Sequence, residues 1–534
     1  MPLAVENPFV RLHPDDNLLI ARVGVEAGVE VVPGNGEPAV VTQEGAVTTH
    51  PSRVVTRDRI DLGHKMAARM IPAGAPVRKF GQLIGYATED IQPGEWIHSH
   101  NLSVGELQLD YAFSTEVPLD PEPIIGRTFL GFRRADGRAA TRNYLGIVST
   151  VNCSATTSKA VAERINRHLL AAFPNVDGVV PLVHKGGCAM QYGGSDHQQL
   201  ARVLAGFARH PNFAGYLIIG LGCETGQASF LTENYGLTQL DVPGDNGRDT
   251  RPLIMTIQDS GGVRKTIDRA VGVLEEMLPE ANNVRRVPIP VSELILGTEC
   301  GGSDGNSGVT ANPAVGIASD LLVAHGGTTI LGETTEIYGG EHLLTRRAVT
   351  PEVGQKLVDL IHWWENYTKF FGVQIDNNPS VGNKKGGLTT IYEKSLGAIA
   401  KGGSTALKEV YRYAEPVTAK GFVVMDTPGF DPASVTGFVA GGANVVVFTT
   451  GRGSCFGCKP VPSIKIATNT PMYERMIDDM DVNAGRILDG VPVEEVGREI
   501  FEKIVSVASG EKTKSEAQGI GDEEFCPWNV GPVL

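Results

Sequence analysis

The sequence has no long hydrophobic run. Its most apolar stretches, such as YLIIGL and VVVF, end after a few residues, well short of the about 20 that cross a bilayer. No membrane-spanning helix is expected. The opening text, MPLAVENPFVRLHPDD, has no basic segment leading into an apolar one, so no secretory signal is expected. Positive charge is scarce too. With 47 Lys and Arg against 61 Asp and Glu, the formal net charge is −14, which argues against a nucleic-acid partner. Cysteine is sparse: seven in 534 residues, an odd number and mostly far apart. That argues against a disulfide scaffold and fits reduced thiols of the cytoplasm. Two nucleotide signatures are missing as well. No G-x-x-x-x-G-K-[ST] occurs and no G-x-G-x-x-G follows the first α/β strand, so a P-loop is excluded and a dinucleotide site gains no support.

What is abundant is glycine, 65 residues, gathered in loops, where it lets the backbone approach a ligand closely. Residues 1–105 read as β-rich, with segments such as NLLIARVGV and PVRKFGQLIGYATEDI between Gly and Pro turns. Acidic, Pro-containing text over 106–124 reads as a linker. From about Gly126, β-branched runs such as LGIVSTVNC, YLIIGLGCETG, ELILGTECGGSDG and NVVVFTTGRG alternate with helical text such as HQQLARVLAGFARH. This grammar predicts α/β architecture, divided into a central part over 125–415 and a C-terminal part over 416–534. In open parallel sheets, ligands bind outside the carboxyl ends of the strands. The polar, Gly-rich loops sit at those ends.

Several residue types in these loops can carry chemistry. Cys188, Cys223 and Cys300 end strands, and Cys153 follows another. Thiolate suits iron or zinc, whereas a free cysteine is otherwise a small buried hydrophobe. Cys455 and Cys458 form a C-x-x-C without a second half-site. His98 and His100, one residue apart, would share a strand face and grip an ion or flank a substrate, unless they are solvated surface. His64 and Lys65 make a second polar pair. His184, at a strand end, is a candidate base or ligand. The carboxylates Glu224, Asp259, Glu299, Asp304, Glu333, Glu336 and Asp426 suit Mg, Mn or Fe(II), or serve as caps. Lys384 and Lys385 in GNKKGG, and Arg452 in TTGRG, set cations beside glycines where an anion can be held.

Longer text then carries a resemblance. PVRKFGQLIGYATEDIQPGEWIHSHN, GFRRADGRAATRNYLGIVSTVNC, HKGGC, GLGCE, ECGGSDGNSGVTANP, NPSVGNKKGGLTTIYEKSLG and TTGRG span nearly the whole chain. It closely resembles the altronate/galactarate dehydratase family, which removes water from sugar acids. HSHN is similar to the altronate branch, whereas HKGGC and the C-x-x-C depart from the family pattern. The resemblance implies an N-terminal SAF domain of β-clip type, then a large α/β portion with Rossmann-like parallel sheets. It implies activation by Fe(II), with Mn(II) as a substitute, and a small-molecule sugar acid as partner. A homo-oligomer, a dimer, is also expected.

Carried onto this chain, the motif positions are His64, His98, His100, Cys153, His184, Cys188, Cys223, Glu224, Glu299, Cys300, Asp304, Asn312, Asn383 and Arg452. The expected metal ligands are Cys188, Cys223, Cys300, Glu299 and Glu224. The expected acid–base residues are His184, His64, His98 and His100. Lys384, Lys385, Asn383, Arg452, Asn312 and Asp304 are expected to bind substrate. Three readings stand beside this one: an iron–sulfur cluster on the dispersed cysteines, a sulfo-lyase acting on sulfolactate, and a sugar-acid binding protein without catalysis.

Overall fold

The computed structural model describes residues 7–31, 53–105, 109–238 and 252–530. The N-terminal part is a set of short antiparallel sheets. Phe9–Val10, Leu18–Ala21, Lys65–Ala67 and Trp96–Ile97 form one, in that order, and Pro76–Lys79, Gln82–Ala87 and Leu102–Ser103 another. Their inward residues, among them Leu18, Ile20, Val77, Ile84 and Ile97, make a small core that Leu396 of the large domain joins. The linker lies along the large domain without regular structure over residues 109–125. It is tied down by Ser114 N–H to the Thr345 carbonyl (3.0 Å) and Glu116 N–H to the Arg346 carbonyl (2.9 Å).

Two parallel sheets follow. The smaller has the order Gly178–Leu182, Tyr144–Ser149, Phe213–Gly220, Leu253–Thr256. The larger has seven strands in the order Leu407–Tyr411, Gly421–Met425, Thr328–Leu331, Ile295–Cys300, Val445–Thr450, Ser463–Ala467, Val482–Asn483. Strands covered on both faces read as unbroken apolar runs. VVVFTT in Val445–Thr450 is buried at every position. Position 415/416, expected as a domain boundary, falls between two neighbouring strands of this larger sheet, Leu407–Tyr411 and Gly421–Met425. The change of sheet lies upstream, between the strands Leu253–Thr256 and Ile295–Cys300.

One hydrophobic cluster runs through both parallel sheets, from Val148, Phe207 and Tyr216 to Val423, Phe438 and Phe448. It fixes the smaller sheet on the larger. Arg142 adds a buried two-pronged pair to Glu516 (2.6 and 2.8 Å). The large sheet changes direction between Ile295–Cys300 and Val445–Thr450: earlier strands lie to one side and later ones to the other. A crevice at such a reversal is where open α/β sheets hold ligands.

Candidate active site

The loop leaving Ile295–Cys300 enters that crevice. Its backbone is locked to the loop after Val445–Thr450 by Gly301 N–H to the Thr449 carbonyl (3.1 Å) and Arg452 N–H to the Gly302 carbonyl (2.8 Å). Gly305 lets the N-terminal domain dock: a Cβ there would lie 2.0 Å from the Gly63 carbonyl oxygen.

Cys300, the last residue of its strand, faces Glu333 and Glu336 from the loop after Thr328–Leu331. Among the described residues, these three form the group whose ligand atoms come together tightly enough for one ion, all within 4.8 Å of one another. Glu333 holds a left-handed backbone (φ 57°), a strained conformation that clusters at functional sites. Two buried lysines complete the constellation. Lys401 Nζ donates to Cys300 Sγ and to Glu333, both at 2.8 Å. Lys394 Nζ donates to Glu336 (2.6 Å) and to Asn378 (2.9 Å).

Acids outnumber cations here. Glu299, Cys300, Glu333, Glu336 and Asp431 share two ammonium groups. Burial pushes Glu299 well up, helped by Glu333 and Asp431. Burial likewise pushes Cys300 up. Glu333 is pushed up to about 7, by burial and by Glu336 against the pull of Lys401 and Lys394. Asp431 rises to about 6 through burial and Glu336. Glu336 alone stays below the usual carboxylate range, held down chiefly by Lys394.

A small cavity adjoins Cys300, walled by Lys79 and Phe80 of the N-terminal domain and by Ser303, Asp304, Asn312 and Lys394. Its ≈ 10 Å³ is room for about one water. Ser303 Oγ on this wall and Glu299 Oε1 behind it are buried without a protein partner.

Family models match along the chain. The altronate/galactarate dehydratase SAF domain matches residues 7–105, and the second domain of D-galactarate dehydratase/altronate hydrolase matches 131–282. The C-terminal domain of D-galactarate/altronate dehydratase matches 291–533. The chain is 35% identical to the altronate dehydratase of Bacillus subtilis (strain 168) over 511 residues, 95% of this chain and 96% of that protein. It is 38% identical to the L-threo-forming galactarate dehydratase of Escherichia coli (strain K12) over 532 residues, 98% and 97% of the two chains. The chain belongs to the altronate/galactarate dehydratase family. A Chromohalobacter salexigens (2R)-sulfolactate sulfo-lyase subunit beta is 32% identical, over 97% of its own length but 75% of this chain.

Against this family background, the expected site residues divide into two groups. Cys300, Asp304 and Asn312 line the same cavity. Asn383 is close by, donating to the Ser303 carbonyl (2.8 Å). Arg452 is exposed and lies against Gly302 and Gly386. Lys384 and Lys385 end a short helix, Val381–Lys385, which Ser380 and Asn383 cap reciprocally. The side chains of Arg452, Lys384 and Lys385 make no ion pair among the described residues. Asp304, by contrast, is spent on its surroundings: it accepts from Ser307, Thr468, Asn469 and the Asn306 N–H. Asn312 bridges the Gly397 carbonyl and Thr449. These two shape the loops.

The N-terminal histidines meet the same helix end. His64 Nε2 donates to the Lys385 carbonyl (3.2 Å) and its Nδ1 accepts from Trp96 (3.0 Å). His98 Nε2 donates to the Lys384 carbonyl (2.9 Å) while Nδ1 accepts from Ser99 (3.0 Å). Basic side chains suit the free carbonyls at a helix C-terminus. Both rings are thereby engaged in docking. The strand expected to carry His98 and His100 stops at Ile97; from the turn beyond, His98 instead stacks on Trp96 and His100 lies tilted against the same ring. His100 is exposed.

His184, Cys188, Cys223 and Glu224 sit apart, at the carboxyl edge of the smaller sheet. His184 uses both nitrogens on backbone, Nε2 to the Ser149 carbonyl (2.9 Å) and Nδ1 from Gly186 N–H (3.2 Å). Burial holds its pKa down to about 4. Glu224 closes its own loop, accepting from Thr150 and from Leu221 and Gly222 N–H. Glu299 neighbours the triad but gives one oxygen to Ser434 (2.7 Å). Sequence reasoning named Glu333 and Glu336 only among general carboxylates. It missed Lys394, Lys401 and Asp431. The signal for one was present: Lys394 lies in the EKSLG text.

Proposed function

We propose that this protein dehydrates an aldonate or aldarate to a 2-keto-3-deoxy sugar acid, with Fe(II), or Mn(II) in its place, held by Cys300, Glu333 and Glu336. The observation that carries the reading is that triad at the carboxyl edge of the large sheet. The donor set fits a divalent cation: one thiol and two carboxyls converge, with Glu336 held ionised by Lys394 while burial pushes Cys300 and Glu333 toward their neutral forms, a surplus of acid that a cation would offset. A divalent ion supplies positive charge where the acid's enolic form develops negative charge.

The chain's own residues do the rest. Asp431, half-buried beside Gly301 and raised by burial and Glu336 to about 6, is the base in this reading, taking the C2 proton near neutral pH. Lys394 and Lys401 stay charged, because burial is outweighed by the acids they face, and they offset charge on the substrate carboxylate. Arg452, Lys384 and Lys385 draw the anion to the mouth of the crevice. The C3 hydroxyl leaves as water, taking up the proton that Asp431 removed from C2, and the resulting C2–C3 enol relaxes to the keto acid as its hydroxyl proton is exchanged for one at C3. Substrate entry requires the wall of Lys79 and Phe80 to move, since the cavity is too small for a sugar acid.

The test is incubation of reduced protein with Fe(II) and a panel of aldonates and aldarates, with assay of 2-keto-3-deoxy acids. Product from at least one acid is expected. No product from any of them would overturn the reading, and sulfite release from sulfolactate would transfer it to the sulfo-lyase reaction.

A further inference from the structure

We propose that Cys153, Cys188 and Cys223 form a three-thiolate site for an iron–sulfur cluster, separate from the triad at Cys300. The three cysteines follow three adjacent parallel strands. Tyr144–Ser149 lies between Gly178–Leu182 and Phe213–Gly220, with Val148 opposite both Leu182 and Ile218. Cys153 and Cys223 each come four residues after a paired position, Ser149 opposite Ile219. Neighbouring strands lie about 4.8 Å apart, so the loops they feed emerge side by side.

Those loops are fastened together through their backbones. Asn152 N–H donates to the Gly186 carbonyl (3.0 Å), and Gly226 N–H to the Gly187 carbonyl (2.9 Å). Gly187 (φ 97°) must be glycine, since a Cβ would lie 2.2 Å from the Thr150 carbonyl oxygen. Cys188 is thus held between two residues of left-handed conformation, Gly187 and Ala189 (φ 57°). Such strain in a non-glycine residue points to a site that the fold maintains.

The thiols themselves are exposed, all three. That departs from the usual burial of free cysteine. Among the described residues, their side chains make one hydrogen bond, Gln258 Nε2 to Cys223 Sγ (3.4 Å). They are too widely spaced to surround a single ion, because the Cys300 triad is the only such group among the described residues. An iron–sulfur cluster spaces its thiolates farther apart than one ion does and is held by cysteine thiolates. Each thiol releases its proton on ligation. Lys185, exposed and without an ion pair among the described residues, adds a cation beside the anionic ligand set. Three cysteines leave one iron of a four-iron cluster without a protein ligand. Beside Cys188 lies a cavity of ≈ 640 Å³, bounded by Asn152, His184 and the segment around Cys526 and Trp528, a volume that suits a small ligand. Cys300 takes no part: Glu333, Glu336 and Lys401 enclose it.

The test is anaerobic isolation from iron-replete cells, with iron and acid-labile sulfide measured per chain. About four sulfides per chain are expected, with the brown colour of a cluster. C153S, C188S and C223S should each lose the sulfide while keeping the wild-type circular dichroism, and alanine variants should match. Cys300→Ser should retain it, although it loses Fe(II)-dependent dehydration. Absence of labile sulfide from anaerobic protein, or its persistence in the triple serine variant, overturns the proposal. Neither result bears on the ion at Cys300, which dehydration assays of Cys300→Ser decide separately.

Discussion

Single residues in the triad act through charge balance. Under the proposed metal site, Cys300→Ser removes the soft donor but keeps nearly the same volume, so the fold should persist while activity with added Fe(II) falls at least about 100-fold, a change of the size that loss of a transition-state charge stabiliser produces. Activity with added Fe(II) and thermal melting of the same sample check it; wild-type activity would remove Cys300 from the site. Lys401→Met probes the other side of the balance. Lys401 is fully buried and serves both Cys300 and Glu333. Removing one partner of a buried pair costs about 3–5 kcal/mol. The loss should be largest above pH 7, where Glu333 is ionised, and smaller at pH 5, where its carboxyl takes a proton, since it titrates at about 7. Urea unfolding at both pH values reads the difference. Equal losses would mean that Glu333 is not the charge left behind.

At the scale of elements, the parallel sheets were legible because β-branched runs ended in glycine loops, and those loops do mark the carboxyl edges. Which loops share a crevice was not legible. The partners of Cys300 come from Glu333 and Glu336, after the next strand, and from Lys401, about a hundred residues on. Only the strand order of the large sheet brings them together. Asp304 and Asn312 could be located but not interpreted, because a side chain spent on loop backbone and one offered to substrate look alike in text. His98 and His100 misled for a local reason: alternation was assumed to continue past Ile97, where a turn begins. The joint between N-terminal domain and body was likewise invisible. There Glu393 sits between Lys65 and Lys79, at 2.9 Å from each, all three buried. Both lysines hold the Glu393 carboxyl far below its usual range, against burial. Glu393→Gln leaves two buried ammonium groups facing a neutral amide. Destabilisation by about 3–5 kcal/mol is expected, with protease cleavage in the 109–124 linker rising as the domain loosens. An unchanged urea midpoint would show that the pair adds nothing to docking.

The whole molecule should be acid-sensitive for a reason that spans its domains. Four histidines join distant parts of the chain in one pattern: Nε2–H donates to a carbonyl and Nδ1 accepts. His64 and His98 bind the N-terminal domain to the helix at Lys384 and Lys385. His210 binds the smaller sheet to the Ala443 carbonyl (2.9 Å), and His184 braces the Ser149 loop. Burial is the first cause that lowers each of them, to about 4 for His98 and His184 and about 3 for His210. A proton on Nδ1 would also confront the N–H of Trp96, Gly186 or Asn212 that now points at it. The unfolded chain takes up these protons near pH 6.5, whereas the folded protein refuses them until well below. Over that window the unfolded state binds more protons, so stability rises with pH and falls on acidification. The melting temperature should therefore drop steadily from pH 7 toward 4, before most carboxylates titrate. Replacing His64 and His98 by Gln, whose amide can still donate to the two lysine carbonyls, should flatten part of that slope. A melting temperature constant between pH 7 and 5 would mean that these histidines are already charged in the folded protein, and that the carbonyl contacts are made by imidazolium.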